Sequence, residues 1–145
     1  MKSWTHEGKP FTSDMVGDYE GFVYIITDLS NNMKYIGKKN FHSRVKLKPL
    51  KGQKRKRTKI SASDWEKYHG SSEEVKTLFA EHGYDRFERE ILHLCLGKGD
   101  MNYLEMKEQV VRDVLLKPDE YYNKFIGGKI HANHIKSLIN PSQKS

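Results

Sequence analysis

Two short runs of β-branched and aromatic residues, separated by a polar turn, form the clearest pattern near the start of the chain. Residues 23–27 read Val-Tyr-Ile-Ile-Thr and residues 34–36 read Lys-Tyr-Ile, compositions that favour β-strands. The turn formers of residues 28–32 lie between them. Gly37 ends the second run, where a missing Cβ permits close backbone approach. The pattern predicts a hairpin with a tyrosine on each strand.

Beyond the hairpin, the spacing of apolar residues changes to the helical period in most segments. It predicts a helix over residues 38–47 and a second helix that Ser72 opens and Gly83 closes. A third strand is expected over 86–95. The next expected helix runs from about Met101 to Leu116 and stops before Pro118, and a short amphipathic helix is expected over 129–139.

The length and the charge of the chain limit the classes of protein to consider. At 145 residues the chain is of a size expected for one domain. Its 26 lysines and arginines against 19 acidic residues give a net charge of +7, which favours a polyanionic partner. No apolar run is long enough for a membrane span or a signal peptide, so a cytoplasmic protein is expected. The single cysteine, Cys95, excludes an internal disulfide.

The cations concentrate in residues 46–59, which Pro49 and Gly52 break and which we interpret as a basic loop. Such a run binds phosphates without reading bases, although a solvated loop that only aids solubility is the alternative. The candidate nucleic-acid-binding residues are Lys38, Lys39, Lys46, Lys48, Lys51, Lys54, Arg55, Lys56, Arg57 and Lys59.

The two runs with tyrosines resemble the paired motif of the GIY-YIG nuclease family. Tyr35-Ile36-Gly37 matches the second triplet of that motif, whereas Phe22-Val23-Tyr24 keeps only the tyrosine of the first. Ten residues separate Tyr24 from Tyr35, which fits the family spacing. The resemblance covers residues 20–125, and residues 65–72 are most similar to phage-encoded members related to homing endonucleases.

The resemblance implies an α/β fold in which a three-stranded, mainly antiparallel sheet is flanked by helices. We expect an N-terminal arm over residues 1–20, a GIY-YIG-like nuclease domain over 21–125 and a C-terminal extension over 126–145. The basic loop would be an insertion within the nuclease domain. The expected reaction is metal-dependent hydrolysis of DNA phosphodiester bonds, with one Mg²⁺ or Mn²⁺ ion per site.

Family roles carry over to four candidate catalytic residues. Glu105 resembles the metal-binding glutamate, and Glu108 is the rival ligand one turn later. Arg44 stands where the family keeps the arginine that stabilises the transition state. Tyr24 would act as a base or relay a proton and Tyr35 would assist, although only roughly one free tyrosine in a thousand is ionised at pH 7. The supporting candidates are Gly37, His42, His69 and Asn123.

The expected partner is DNA, in double-stranded form, bound by a monomer or by a transient dimer, with no membrane involved. If the protein is phage-encoded, its compartment is the host cytoplasm. Two other classes stay open: a catalytically silent nucleic-acid-binding protein, and a phage accessory protein on the same scaffold. The presence of both Arg44 and Glu105 favours the enzyme.

Overall fold

The computed structural model describes residues 3–127, and in this range the chain forms two sheets and two α-helices. The strands are β1 (Thr5–His6), β2 (Lys9–Pro10), β3 (Gly21–Asp28), β4 (Lys34–Asn40), β5 (His42–Leu47), β6 (Arg57–Ala62) and β7 (Phe87–Cys95). The α-helices are α1 (Glu73–His82) and α2 (Lys98–Val111), and three short 3-10 helices cover Ser13–Met15, Trp65–Lys67 and Tyr84–Arg86.

The larger sheet has the strand order β2-β1-β7-β3-β4. Its centre is the predicted antiparallel set of three strands, in which Ile25 of β3 lies opposite Ile36 of β4 and Glu90 of β7. The short strands β1 and β2 extend this set, and β1 runs parallel to β7. The α/β prediction is therefore confirmed, with a mixed sheet that is wider than the three expected strands.

The predicted helix over residues 38–47 is wrong. β4 continues to Asn40, Phe41 turns into the core, and β5 begins at His42. β5 pairs antiparallel with β6, from His42 opposite Ala62 to Leu47 opposite Arg57. The backbone groups of residues 42–47 are thus satisfied by a partner strand distant in sequence, which local spacing does not reveal. The expected basic loop over 46–59 is correspondingly the tip of a β-hairpin.

β3 is buried on both faces, as its continuous apolar run requires. On one face Phe22, Tyr24 and Ile26 pack in a cluster with Trp4 from the N-terminal segment. Trp4 also donates a hydrogen bond from Nε1 to the carbonyl of Trp65, at 2.7 Å. The opposite face of the sheet is covered by α2. The N-terminal segment and α2 therefore fix the central strands from two sides.

The two α-helices correspond to predicted ones, but the end of α2 differs. Ser72 caps α1 by accepting a hydrogen bond from the backbone N–H of Val75 at 3.3 Å, as its sequence signature predicts. α2 ends at Val111, well before Pro118, because the backbone turns at Asp113 with a positive φ of 54°. Neither helix in residues 3–127 is long and apolar enough to cross a membrane. The helix expected over 129–139 lies outside the described residues.

Candidate active site

The side chains of two tyrosines on β3 and β4 pack closely against two glycines. The rings of Tyr24 and Tyr35 lie with their centroids 6.3 Å apart. A Cβ on Gly37 would lie 2.7 Å from Cζ of Tyr24 and 3.1 Å from Cε2 of Tyr35. Gly70, at φ +90°, approaches the same two side chains, since its Cβ would lie 3.3 Å from Cδ2 of Tyr35. A Cβ on Gly37 therefore has no room beside the two rings, and the positive φ of Gly70 favours glycine there.

The two phenols face different environments. The Tyr35 hydroxyl lies 2.8 Å from Oγ of Ser71 and borders an open cavity of about 700 Å³. The Tyr24 hydroxyl is buried behind Gly37 and forms no hydrogen bond with any of the described residues. Burial, followed by the neighbouring Tyr68 and Tyr35, raises the pKa of Tyr24 well above its usual value. Burial also raises the pKa of Tyr35, although the hydrogen bond with Ser71 acts on this pKa in the opposite direction. Both phenols are therefore protonated at neutral pH.

The edge of β4 is held in place by two amide side chains. Asn123 accepts a hydrogen bond from the backbone N–H of Ile36 at 3.0 Å and donates one to its carbonyl at 2.8 Å. Gln109 donates a second hydrogen bond to the same carbonyl at 3.1 Å. Asn123 thus satisfies the edge as a neighbouring strand would. This geometry gives Asn123 a positioning contact next to Tyr35 and Gly37.

Glu105 projects from α2 into the same cavity as Tyr35. Its side chain is 17% exposed and lies 3.8 Å from Nζ of Lys38, which also donates a hydrogen bond to Oδ1 of Asn102. Burial raises the pKa of the Glu105 carboxyl, while the Lys38 charge opposes that shift. The carboxylate and the Asn102 amide oxygen therefore converge on one cation.

Glu108, the rival ligand, belongs to a different cluster. It accepts a hydrogen bond from Nε of Arg112 at 3.0 Å, and Nε2 of His93 lies 3.3 Å away. Burial alone would raise its pKa, but these partners hold it below its usual value. Glu108 is not among the residues that border the cavity, whereas Glu105 is. One turn of helix thus separates the two carboxylates into different environments.

The oxygen donors at the cavity fit a hard divalent cation. One carboxylate, from Glu105, and one amide oxygen, from Asn102, reach the same ammonium group. Mg²⁺ prefers oxygen ligands and keeps several waters, and an open cavity leaves space for these. No group of three or more His, Cys, Asp or Glu side chains able to hold a metal occurs within residues 3–127. Glu73 and Glu74 also border the cavity, but Glu105 is the carboxylate that lies beside Lys38, so a metal ion held there would take most of its ligands from water.

The structure does not bring Arg44 into this cavity. Arg44 lies on β5, not on a helix, and its Nη1 and Nη2 donate to the Glu20 carboxylate at 2.5 and 2.9 Å. It borders a second cleft of about 440 Å³ on the other side of Lys38. Lys38 borders both depressions. Of the four candidate catalytic residues, Tyr35 and Glu105 thus share the cavity and Tyr24 lies beneath it.

The two candidate histidines are placed differently from each other. His69 is 5% exposed, stacks on the ring of Phe79 at 3.5 Å, and lies with Nδ1 2.8 Å from the carbonyl of Lys67. Burial, and then repulsion by Arg89, lower its pKa to about 4. His69 is therefore a buried packing residue that is neutral at pH 7. His42 borders the cleft of Arg44.

The candidate DNA-binding cations occupy two settings. Lys39 is fixed at the sheet, with Nζ 2.7 Å from Oδ1 of Asp64 and 4.2 Å above the ring of Tyr68. The cations of the β5–β6 hairpin are all exposed. They are Lys46, Lys48, Lys51, Lys54, Arg55, Lys56, Arg57 and Lys59. The hairpin presents a dense positive surface beside the core.

Asn102 and Gln109 were not identified from the sequence, although a signal for them exists. They lie three residues before and four residues after Glu105 on α2. Residues at these spacings share one helix face, so a candidate glutamate predicts its polar neighbours. Ser71 has no comparable signal, because its contact with Tyr35 depends on the path of the chain before α1.

A family model described as "Putative endonuclease segE, GIY-YIG domain" matches residues 4–126. The chain belongs to the GIY-YIG nuclease family. No curated protein and no solved structure matches it significantly. The match to the GIY-YIG domain includes β1 and β2 as well as the central strands, and a nuclease family implies a nucleic-acid substrate.

Proposed function

We propose that the protein is a metal-dependent endonuclease that hydrolyses phosphodiester bonds of double-stranded DNA in the cavity between α2 and the edge of β4. One observation carries this proposal: Tyr35 and the half-buried Glu105 border one cavity together with the Lys38 cation. A functional carboxylate with a raised pKa in a cleft is typical of an active site. Family membership supports the nuclease class.

Glu105 would hold the metal ion, and Asn102 is placed to orient it or one of its waters. A bound Mg²⁺ or Mn²⁺ would supply charge stabilisation for the phosphate and activation of water. Lys38 is the cation beside Glu105 in the cavity, so it is suited to contact the phosphate. Arg44 could take this role only after releasing Glu20.

The protonated phenols support proton relay or water orientation over a phenolate base. The Tyr35 hydroxyl is held by Ser71 and can donate a hydrogen bond to a phosphate oxygen or orient a water. Tyr24 lies out of reach of the cavity, and its ring supports that of Tyr35. We therefore place Tyr35 at the reacting groups and assign Tyr24 a supporting role.

The β5–β6 hairpin would supply most of the affinity for DNA. A two-stranded ribbon fits the major groove of a duplex, and its exposed cations can contact phosphates on both sides. With about six phosphate contacts, affinity should fall on the order of a thousandfold between about 50 and 200 mM salt. A nearly flat salt titration would contradict this role.

A plasmid cleavage assay tests the proposal. Native protein with Mg²⁺ should nick or linearise supercoiled plasmid, and EDTA or Glu105→Ala should abolish cleavage. Glu108→Ala is the matched control, since it removes a carboxylate one turn away that does not border the cavity. Cleavage that survives Glu105→Ala but not Glu108→Ala would reject the metal assignment.

A catalytically silent nucleic-acid-binding protein is the second candidate. It is favoured by the pairing of Arg44 with Glu20 outside the cavity, since no arginine among residues 3–127 borders the cavity. DNA or RNA binding without cleavage of either, in both Mg²⁺ and Mn²⁺, would establish this alternative and refute the enzyme.

A further inference from the structure

A second depression of about 440 Å³ lies next to the cavity and has a strongly basic lining. It is formed where β4, β5 and the N-terminal end of α2 meet. Five cationic or titratable nitrogen groups border it from these three elements, and Asn40 and serine side chains complete the polar lining. These groups belong to Lys38, Lys39, His42, Arg44 and Lys98. We call this depression the Arg44 cleft.

Glu20 is the counterion of the Arg44 cleft, although it does not itself border the cleft. Its carboxylate accepts both terminal nitrogens of Arg44, at 2.5 and 2.9 Å, and its side chain is 14% exposed. Its pKa is lowered chiefly by the hydrogen bond from Arg44, with further attraction to Lys98 and His42 against the cost of burial. Glu20 therefore interacts with the basic groups of the cleft and occupies the fork of Arg44, the strongest anion-binding group among them.

We propose that the Arg44 cleft binds a backbone phosphate that flanks the reacting one, and that Glu20 weakens this binding by holding Arg44 as an internal counterion. The inference rests on the proposed function, because it assigns the neighbouring phosphate of the same DNA strand. Lys38 borders both depressions, so a strand that places one phosphate in the cavity passes over Lys38 toward the cleft. The fork of Arg44 matches a phosphate as well as a carboxylate, and a phosphate must compete with Glu20 for it.

Binding of a short labelled DNA duplex, measured by fluorescence anisotropy in EDTA, tests the proposal without cleavage. Glu20→Gln should tighten binding about two- to fivefold, the value of one screened ion pair. Glu88→Gln is the matched control, because it makes the same charge change on an exposed carboxylate at the other end of β7. Lys98→Ala should weaken binding and reduce the slope of log affinity against log salt by about one.

A double-mutant cycle separates release of Arg44 from a general charge effect. In the Arg44→Ala background, Glu20→Gln should tighten binding no more than Glu88→Gln does. Equal effects of Glu20→Gln and Glu88→Gln in the native background would overturn the inference and leave the nuclease proposal intact. The same would follow if Lys98→Ala bound like Lys107→Ala, an exposed change on the same helix.

A plasmid assay on the same variants distinguishes the two proposals. The expected Glu20 effect on binding, together with no cleavage in any metal, would reject the nuclease and keep the cleft as a phosphate subsite of a binding protein. Thermal melts check that each variant folds, which Glu20→Gln should do because the backbone contacts of Glu20 to Phe41 and Cys95 are retained.

Discussion

The cavity beside β4 and the β5–β6 hairpin are built in opposite ways. In the cavity, Tyr35 is held by Ser71, and the strand edge by Asn123. In the hairpin, every residue of β6 is exposed, and the residues between β5 and β6 carry several cations. Chemistry requires groups that are fixed to within fractions of an ångström, whereas phosphate binding requires mainly charge. We therefore predict that catalytic rate depends on the cavity and that DNA affinity depends mainly on the hairpin.

We expect the strongest change in DNA affinity from substitutions in the β5–β6 hairpin. Replacing four cations between β5 and β6, Lys51, Lys54, Arg55 and Lys56, by glutamine removes about four phosphate contacts. The loss of affinity between about 50 and 200 mM salt should then shrink roughly a hundredfold. The rate at saturating DNA should remain close to native, because none of these residues borders the cavity. Anisotropy titrations and single-turnover cleavage measure the two quantities.

A matched set of charge changes serves as the control for the hairpin. Four exposed lysines elsewhere, Lys9, Lys67, Lys107 and Lys117, can be replaced by glutamine to give the same net charge. If both sets weaken binding equally, only the total charge of the protein matters and the hairpin has no special role.

The second prediction concerns the packing of the tyrosine pair beside the cavity. Gly37→Ala places a Cβ against the rings of Tyr24 and Tyr35, at 2.7 and 3.1 Å from their carbons. Such overpacking should cost about 1–3 kcal/mol of stability and slow cleavage, with DNA affinity in EDTA little changed. Gly127→Ala, which meets nothing within 4 Å, is the control in a chemical denaturation experiment. Equal stability of the two variants would contradict the close packing of the tyrosine pair.

A smaller effect concerns the pH dependence of stability, to which the buried His69 should contribute. Its folded pKa of about 4 lies below its usual value of 6.5, so the unfolded chain binds more protons between these values. Stability should therefore fall as the pH drops from 6.5 toward 4. His69→Leu should flatten this slope, while His82→Gln, at an exposed position, should leave it unchanged. Urea denaturation at a series of pH values measures the slopes, and a slope that persists in His69→Leu would refute the assignment.

The smallest change in stability is expected within α2, where Glu105 and Glu108 should differ in their effects on cleavage and on the melting temperature. Burial raises the pKa of Glu105, so its charged form opposes folding above the usual glutamate pKa. Glu105→Gln should therefore leave the melting temperature unchanged or slightly higher at neutral pH, while cleavage is lost. Glu108→Gln should lower it, because its carboxylate accepts a hydrogen bond from Arg112 and its pKa is lowered. The reverse order of melting temperatures would show that Glu105 is a structural residue.

The sequence predicted the central hairpin, the third strand and α1 because each has a local signal. The β-branched and aromatic run around Tyr24, the turn residues after Asp28 and the cap at Ser72 each act on structure within a few residues. The identification of Glu105 and Asn123 depended on family resemblance, and the structure places both beside Tyr35 or its strand. Their catalytic and positioning roles stay predictions until the variants are measured.

The prediction of a helix over residues 38–47 was wrong for a reason that no local sequence pattern reveals. Residues 42–47 form β5 only because β6, which follows after a long loop, supplies its backbone partners. Because residues 42–47 form a strand and not a helix, Arg44 lies on β5, where its side chain pairs with Glu20. Long-range pairing thus decided where Arg44 lies.

The sequence by itself determined the basic character and the tyrosine pair, and its resemblance to a known family implied the family and the α/β class. Residues and short motifs carry this information whatever the final shape of the chain. The tertiary structure alone decided that Tyr35 and Glu105 share a cavity, that Glu108 faces elsewhere and that Arg44 is paired with Glu20. Such facts depend on which distant elements meet, and burial and charge act on a side chain only once its neighbours are in place.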